Sequence, residues 1–182
     1  MTTATPDSRK RRISMAFNAM DGSGKGRLGP QDVDRVVDEL ASSLGVDPRS
    51  ADAEAFRRGA RHLHASLNKK LGRPESTEIT EKDYVQAAES MSTAEIRAMV
   101  DPYVDGLFEL IDTDDDGSIT ADEFAHHQTA LGIDQDRATE AFSSLDSNGD
   151  GKLGKEEFRK YGRQFYQDTA SDSAADNLTG RV

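Results

Sequence analysis

Two twelve-residue stretches constrain this chain more than anything else in it. One runs Asp112-Thr-Asp-Asp-Asp-Gly-Ser-Ile-Thr-Ala-Asp-Glu123, the other Asp146-Ser-Asn-Gly-Asp-Gly-Lys-Leu-Gly-Lys-Glu-Glu157. Both fit the frame D-x-[DN]-x-[DN]-G-x5-E. A tight loop turns positions 1, 3 and 5 inward onto one point. Those positions are Asp112, Asp114 and Asp116 in the first stretch and Asp146, Asn148 and Asp150 in the second. Position 6 needs positive φ, which glycine adopts without steric cost, and Gly117 and Gly151 stand there. Position 7 offers its backbone carbonyl, so Ser118 and Lys152 serve whatever their side chains are. Position 12 starts the next helix and swings a long carboxylate back to close the shell, a task for Glu123 and Glu157. An all-oxygen shell of flexible geometry suits Ca²⁺; Mg²⁺ demands a stricter octahedron and is expected as the weaker competitor.

The flanks carry helix signals around both loops. Phe108 and Phe142 sit four residues before position 1, and Phe124 and Phe158 follow position 12. Ile119 and Leu153 hold position 8, where two neighbouring loops can pair backbone to backbone in a short antiparallel ladder. Thr120 and Glu123 form an S/T-x-x-E capping box, so the residue that closes the loop also starts the helix.

The same frame fits the N-terminal half less well. In Asp21-Gly-Ser-Gly-Lys-Gly-Arg-Leu-Gly-Pro-Gln-Asp32 the candidate ligands are Asp21, Ser23 and Asp32, a third and weaker site. Lys25 holds position 5, where an acceptor is needed and an ammonium has only donors. Asp32 is one methylene shorter than the Glu that closes a loop bidentately. The segment also balances its own charge, whereas residues 112–123 hold six acids and no base. A fourth frame, Gly72 to Asp83, keeps Ile79 at position 8 and Thr80 as a helix cap but has lost its ligands. Its expected part is to pair structurally with loop one.

Almost all the rest reads as helix. The expected spans are 9–20, 30–44, 51–71, 82–91, 96–100 (opened by a Ser92–Glu95 capping box), 103–111, 122–131, 135–145 and 156–166. Asp101-Pro102 is expected to restart or kink a helix, since proline fits best in a first turn. The chain thus divides into a flexible start (1–8), an N-terminal pair (9–91), a C-terminal pair (92–167) and a polar tail (168–182). Loop starts at 21, 72, 112 and 146 are stretched between the first two, which favours one compact unit over two separable lobes. The fold class is all-α: four helix-loop-helix units in two pairs, with short β pairings between loops.

This arrangement resembles the bacterial calerythrin-like proteins and the sarcoplasmic calcium-binding proteins, within the EF-hand superfamily. The resemblance spans residues 9–166 and includes the long first interval and the silent second loop. It implies four hands packed into one body that acts mainly as a calcium buffer or carrier. Hand one departs from the family pattern at Lys25.

Composition narrows the function classes. With 34 acidic against 23 basic residues, the net charge of -11 disfavours nucleic acid and anionic membrane surfaces. It also favours a monomer. The mean hydropathy of -0.73 and the lack of a long apolar run exclude a transmembrane span. No apolar core of a secretory signal follows the polar start, and the absence of cysteine fits a cytoplasmic protein. The Arg9 to Arg12 run reads as solvated N-terminal charge. His62, His64, His126 and His127 show no metal-binding or catalytic spacing, so no enzyme is expected. Two roles stay open: a buffer, or a sensor that opens an apolar groove to a partner protein. The few methionines, none of them in the two strong hands, favour the buffer.

Overall fold

The computed structural model describes residues 6–167. The first five residues of the expected flexible start, and the whole polar tail 168–182, lie outside them. Eight helices and four short strands follow one another: α1 (Pro6–Met20), β1 (Arg27–Leu28), α2 (Pro30–Ser43), α3 (Ala51–Lys70), β2 (Ile79–Thr80), α4 (Glu81–Glu89), α5 (Thr93–Ile111), β3 (Ser118–Thr120), α6 (Ala121–Ala130), α7 (Gln135–Leu145), β4 (Lys152–Gly154) and α8 (Lys155–Gln167). Helix α1 starts at Pro6 rather than at the expected Arg9.

Local chemistry sets the boundaries. Ser50, Thr80, Ser92, Thr120 and Asp134 each cap a helix by accepting a backbone N–H three residues on. Such a cap satisfies one of the donors a helix start leaves unpaired, and contributes about 1 kcal/mol. Three loops begin alike. The amides of Asp21, Asp112 and Asp146 donate to the carbonyls of Phe17, Phe108 and Phe142 at 2.8, 2.9 and 2.9 Å. Each ring is thereby buried in the core just as the chain turns into its loop.

The loops pair as the position-8 residues imply. Leu28 lies opposite Ile79, and Ile119 opposite Leu153, in two antiparallel two-stranded ladders. All four side chains are essentially fully buried, so the apolar contact and the backbone bonds fix the same register.

The halves share one core. A single apolar cluster runs from Ile13, Phe17 and Leu63 through Tyr84, Met99 and Phe108 to Phe124, Phe158 and Tyr166. Within it the hydroxyls of Tyr84 and Tyr166 lie 2.8 Å apart, tying the helix that leaves loop two to the one that leaves loop four. Helices α3 and α5 cross with their backbones nearly touching. A Cβ on Gly106 would lie 2.5 Å from Phe56 Cα, and one on Gly59 would overlap the Pro102 carbonyl. Arg159 and Arg163 dock α8 on α5 by forked pairs to Asp105 (2.6 and 2.8 Å) and Asp101 (2.7 and 2.7 Å).

Two expectations are corrected. Helix α5 does not restart at Pro102 but runs through it. Proline lacks the N–H that would bond the Ala98 carbonyl. His62 Nε2, on α3, lies 3.0 Å from that oxygen and takes its place. The basic run is not simply solvated either. Arg9 donates to the carbonyls of Tyr166 and Ala88, and Arg12 is buried, while Lys10 and Arg11 face solvent.

Candidate metal centres

Loop three gathers its carboxylates by giving each a backbone donor. Asp112 Oδ1 accepts from Asp116 N (3.2 Å) and Oδ2 from Gly117 N (2.9 Å). Asp114 Oδ1 accepts from Asp116 N at 3.3 Å, and Asp116 Oδ1 from the Ser118 amide at 2.9 Å. Gly117 supplies φ of 82°, and Asp115 takes 56°, a left-handed state that aspartate tolerates better than most residues. One oxygen each of Asp112, Asp114 and Asp116 lies within 4.8 Å of the other two. Glu123 reaches back over the loop. Its Oε1 accepts from Thr113 N at 2.8 Å and its Oε2 from Thr120 N at 2.9 Å.

Loop four repeats this. Asp146 Oδ1 accepts from Asp150 N (3.2 Å) and Oδ2 from Gly151 N (2.9 Å). Asn148 Oδ1 accepts from Asp150 N, and Asp150 Oδ1 from Lys152 N, each at 2.9 Å. Glu157 Oε1 takes the Ser147 amide at 3.1 Å, and Oε2 the Gly154 amide at 3.1 Å. Loop three therefore brings Asp112, Asp114 and Asp116 to one place, and both loops hold their assigned side chains on their own amides, as anionic or amide oxygens. That donor set fits a hard divalent cation and offers nothing to a soft one.

The electrostatics carry the strain of that gathering. Burial raises the Asp112 carboxyl, and the nearby Glu123 and Asp116 charges push the same way against its two backbone donors. Asp116 goes down to about 2, because Lys152 and Ser118 donate to it. Glu123 is pushed up by burial, but the donors from Thr120 and Thr113 outweigh this and lower it. The Gly154 amide leads the donors that lower Glu157.

Loop one folds the same way with a different occupant. Asp21 Oδ1 accepts from Ser23 Oγ (3.1 Å) and Lys25 N (3.2 Å), and Oδ2 from Gly26 N (2.6 Å). Asp32 Oδ2 accepts from Gly29 N at 2.8 Å, as Glu123 does from Thr120. The Lys25 ammonium, however, stands 2.7 Å from Asp32 Oδ2.

The interior holds a feature the sequence did not reveal. A half-open apolar pocket of about 390 Å³ lies among α1, α2, α3, α5, α6 and α8, lined by residues such as Met15, Leu107, Gln128 and Phe165. Gln128 is 1% exposed and its Oε1 has no hydrogen-bond partner. His127, also in the wall, is held down to about 4 by burial and the His126 charge. A helical Gln-His pair carries no sequence signal for such a wall. Among the described residues, no helix is long and apolar enough to cross a membrane.

Known proteins match this picture. Residues 104–126 and 139–160 match the EF hand family. Calerythrin of Saccharopolyspora erythraea is 30% identical over 170 residues, covering 91% of this chain and 94% of the relative. A luciferin-binding protein of Renilla reniformis is 24% identical over 81% of this chain and 80% of its own length. The solved structure of a Streptomyces coelicolor calcium-binding protein superposes with a TM-score of 0.71 at 28% identity, covering 87% of this chain and 97% of that one. Helix-loop-helix pairing, acidic loops and this likeness along nearly the whole chain lead to one conclusion: the chain belongs to the EF-hand calcium-binding proteins of the calerythrin type.

Proposed function

We propose that the protein takes up two calcium ions and acts as a monomeric cytosolic calcium buffer or carrier, without catalysis. One ion would sit on Asp112, Asp114, Asp116, the Ser118 carbonyl and Glu123. The other would sit on Asp146, Asn148, Asp150, the Lys152 carbonyl and Glu157. Magnesium competes weakly at both. The observation that carries the buffer role is the Tyr84–Tyr166 contact within a core common to both pairs. A sensor that opens to a partner protein must part such a surface, and each large side chain so exposed loses about 1.5–3 kcal/mol of burial. The cysteine-free composition and the bacterial relative favour the cytosol, and the charge of -11 favours a monomer.

Calorimetric titration tests the stoichiometry, and a dye that brightens on apolar surface tests the role. Two ions with little change or a fall in dye signal support the buffer. A large calcium-driven rise supports the sensor.

The cavity favours a second reading, in which calcium controls the holding of an apolar small molecule. Its wall includes His127 and Gln128 of α6 and Phe165 of α8, and these helices begin beside the closing glutamates of loops three and four. The bare Gln128 Oε1 would accept a hydrogen bond from a ligand N–H or O–H. One relative is itself a luciferin-binding protein. Saturable dye binding at one site, changed by calcium and lost in Leu107→Trp, would establish this reading. Dye binding indifferent to Leu107→Trp would dismiss it.

A further inference from the structure

Position 12 is where the four loops differ in what they hold. In loops three and four the closing glutamate accepts only from its own loop's amides and hydroxyls: Thr113 and Thr120 for Glu123, Ser147 and Gly154 for Glu157. Both carboxylates keep their full negative charge. In loops one and two the closing residue is an aspartate, and each meets a cation of its own loop.

In loop one the cation is Lys25, from position 5. Its Nζ lies 2.7 Å from Asp32 Oδ2 and 3.3 Å from Glu78 Oε1, which belongs to loop two. The lysine thus spans the paired loops as well as closing its own. Gly29 leaves the room: a Cβ there would stand 3.2 Å from Glu78 Cγ. Asp32 is 8% exposed, so its charge is largely withdrawn from water beside this ammonium, while Asp21, 7% exposed, accepts the Lys25 backbone amide. In loop two the cation is Arg73, from position 2. Its guanidinium forks onto Asp83 at 2.8 and 3.0 Å, while Asp83 also accepts from Thr80 N at 3.2 Å. The fork is planar and bidentate, the geometry in which arginine holds a carboxylate best. Both aspartates respond. Burial raises Asp32, but the Lys25 and Gly29 donors overcome it, and Arg73 leads the donors that bring Asp83 down to about 2.

We propose that Lys25 and Arg73 are the resident cations of the N-terminal pair. Each does for its aspartate what a metal ion does for a closing glutamate. Together they hold the two loops shut without calcium, and Lys25 keeps calcium out of loop one. The ammonium and the guanidinium are tethered, so their effective concentration at the carboxylates does not depend on calcium in solution. The N-terminal pair is therefore a permanently closed half against which the metal-dependent half works.

The test uses the full chain with Glu123→Gln and Glu157→Gln, which silence loops three and four under the reading above, on which only this background rests. Calorimetry and the backbone amide shift of Gly26 report on loop one. With Lys25 in place, the Gly26 amide is expected to ignore calcium. Adding Lys25→Asn and Asp32→Glu, which supply the missing acceptor and the longer arm, is expected to create one calcium site that moves that amide. A calcium response at Gly26 with Lys25 present overturns the proposal, and so does a refitted loop that takes up none. Calcium uptake that moves Gly117 or Gly151 instead counts against the closing glutamates and leaves the Gly26 result to decide this one. In the otherwise unaltered chain without calcium, Lys25→Met and Arg73→Met are each expected to lower the melting temperature by about 1–3 degrees. A melting temperature unchanged in both variants also overturns the proposal.

Discussion

The ammonium of Lys152, in loop four, lies 2.8 Å from Oδ2 of Asp116, in loop three. The ladder puts it there, because Ile119 opposite Leu153 sets Thr120 opposite Lys152. One residue therefore serves two loops. Its carbonyl belongs to position 7 of loop four, and its side chain occupies an oxygen that position 5 of loop three offers to a metal. Removing the ammonium frees that oxygen and takes a positive charge away from an incoming cation. The pair is half exposed, so solvent and salt screen it and its effect is small. Lys152→Met is expected to tighten calcium binding at loop three by roughly two- to fivefold. Titration of the single variant against Lys152→Met in a Glu157→Gln background separates this from any effect on loop four. Unchanged or weaker binding at loop three would refute it.

The closing glutamates give a sharper loss. Glu123→Gln keeps the size of the side chain and removes one anionic oxygen from its loop. EF-hand affinity follows the number of charged ligands, so the expected weakening at that site is on the order of a hundredfold or more. Glu157→Gln should do the same at loop four. Calorimetry of each variant should show one tight ion in place of two. Two tight ions remaining after either change would mean that the loops close otherwise.

A third prediction concerns pH. Burial holds His127 down to about 4, whereas in the unfolded chain it has an ordinary pKa of about 6.5. Between those values the unfolded state binds a proton that the folded state refuses. Stability is therefore full above about pH 6.5, falls as pH drops through the window, and has lost this contribution below about pH 4. The full span is worth about 3 kcal/mol. Denaturant melts of His127→Leu should show a flatter slope between pH 6.5 and 4.5 than the parent. Parallel slopes would place His127 in contact with water.

What the sequence makes legible here depends on distance along the chain. Loops three and four can be read because each ligand position demands a residue type, and all of them fall within twelve residues. The loop pairing is legible too, since Leu28, Ile79, Ile119 and Leu153 are apolar where their neighbours are polar. Lys25 is visible as a poor ligand, but not as a bridge to Glu78, which requires knowing how two loops pack. Pro102 looks like a helix break because the group that repairs it, His62, comes from another helix. The burial of Arg12 and the cavity beside Gln128 are equally products of packing, with no local pattern to announce them.

The crossing of α3 and α5 supplies a fourth prediction. Gly59 and Gly106 face backbone rather than movable side chains, so an added methyl cannot be absorbed by a rotamer change. The helices must separate instead, and the shared core with them. Gly106→Ala is expected to cost about 3 kcal/mol, the upper part of the usual range for overpacking. Thermal melts check this, and a loss under 1 kcal/mol would show that the crossing yields easily.

The last prediction joins metal to folding. Residues 112–123 carry six acids, and without a cation their repulsion opposes the closed loop. Burial is the main cause of the rise in Asp112, with Glu123 and Asp116 adding repulsion, and Lys152 relieves part of that charge at Asp116. An ion that binds only the folded hand adds RT ln(1 + [L]/Kd), about 4 kcal/mol at a thousandfold excess over Kd. Calcium should therefore raise the melting temperature strongly, and Mg²⁺ less. The gain should be local. Loops one and two already hold Lys25 and Arg73 on their closing aspartates. Hydrogen exchange is expected to slow most across residues 103–166 when calcium is added, with smaller changes across 13–90. Protection that rises mainly across 13–90 would put the working loops in the other half of the chain.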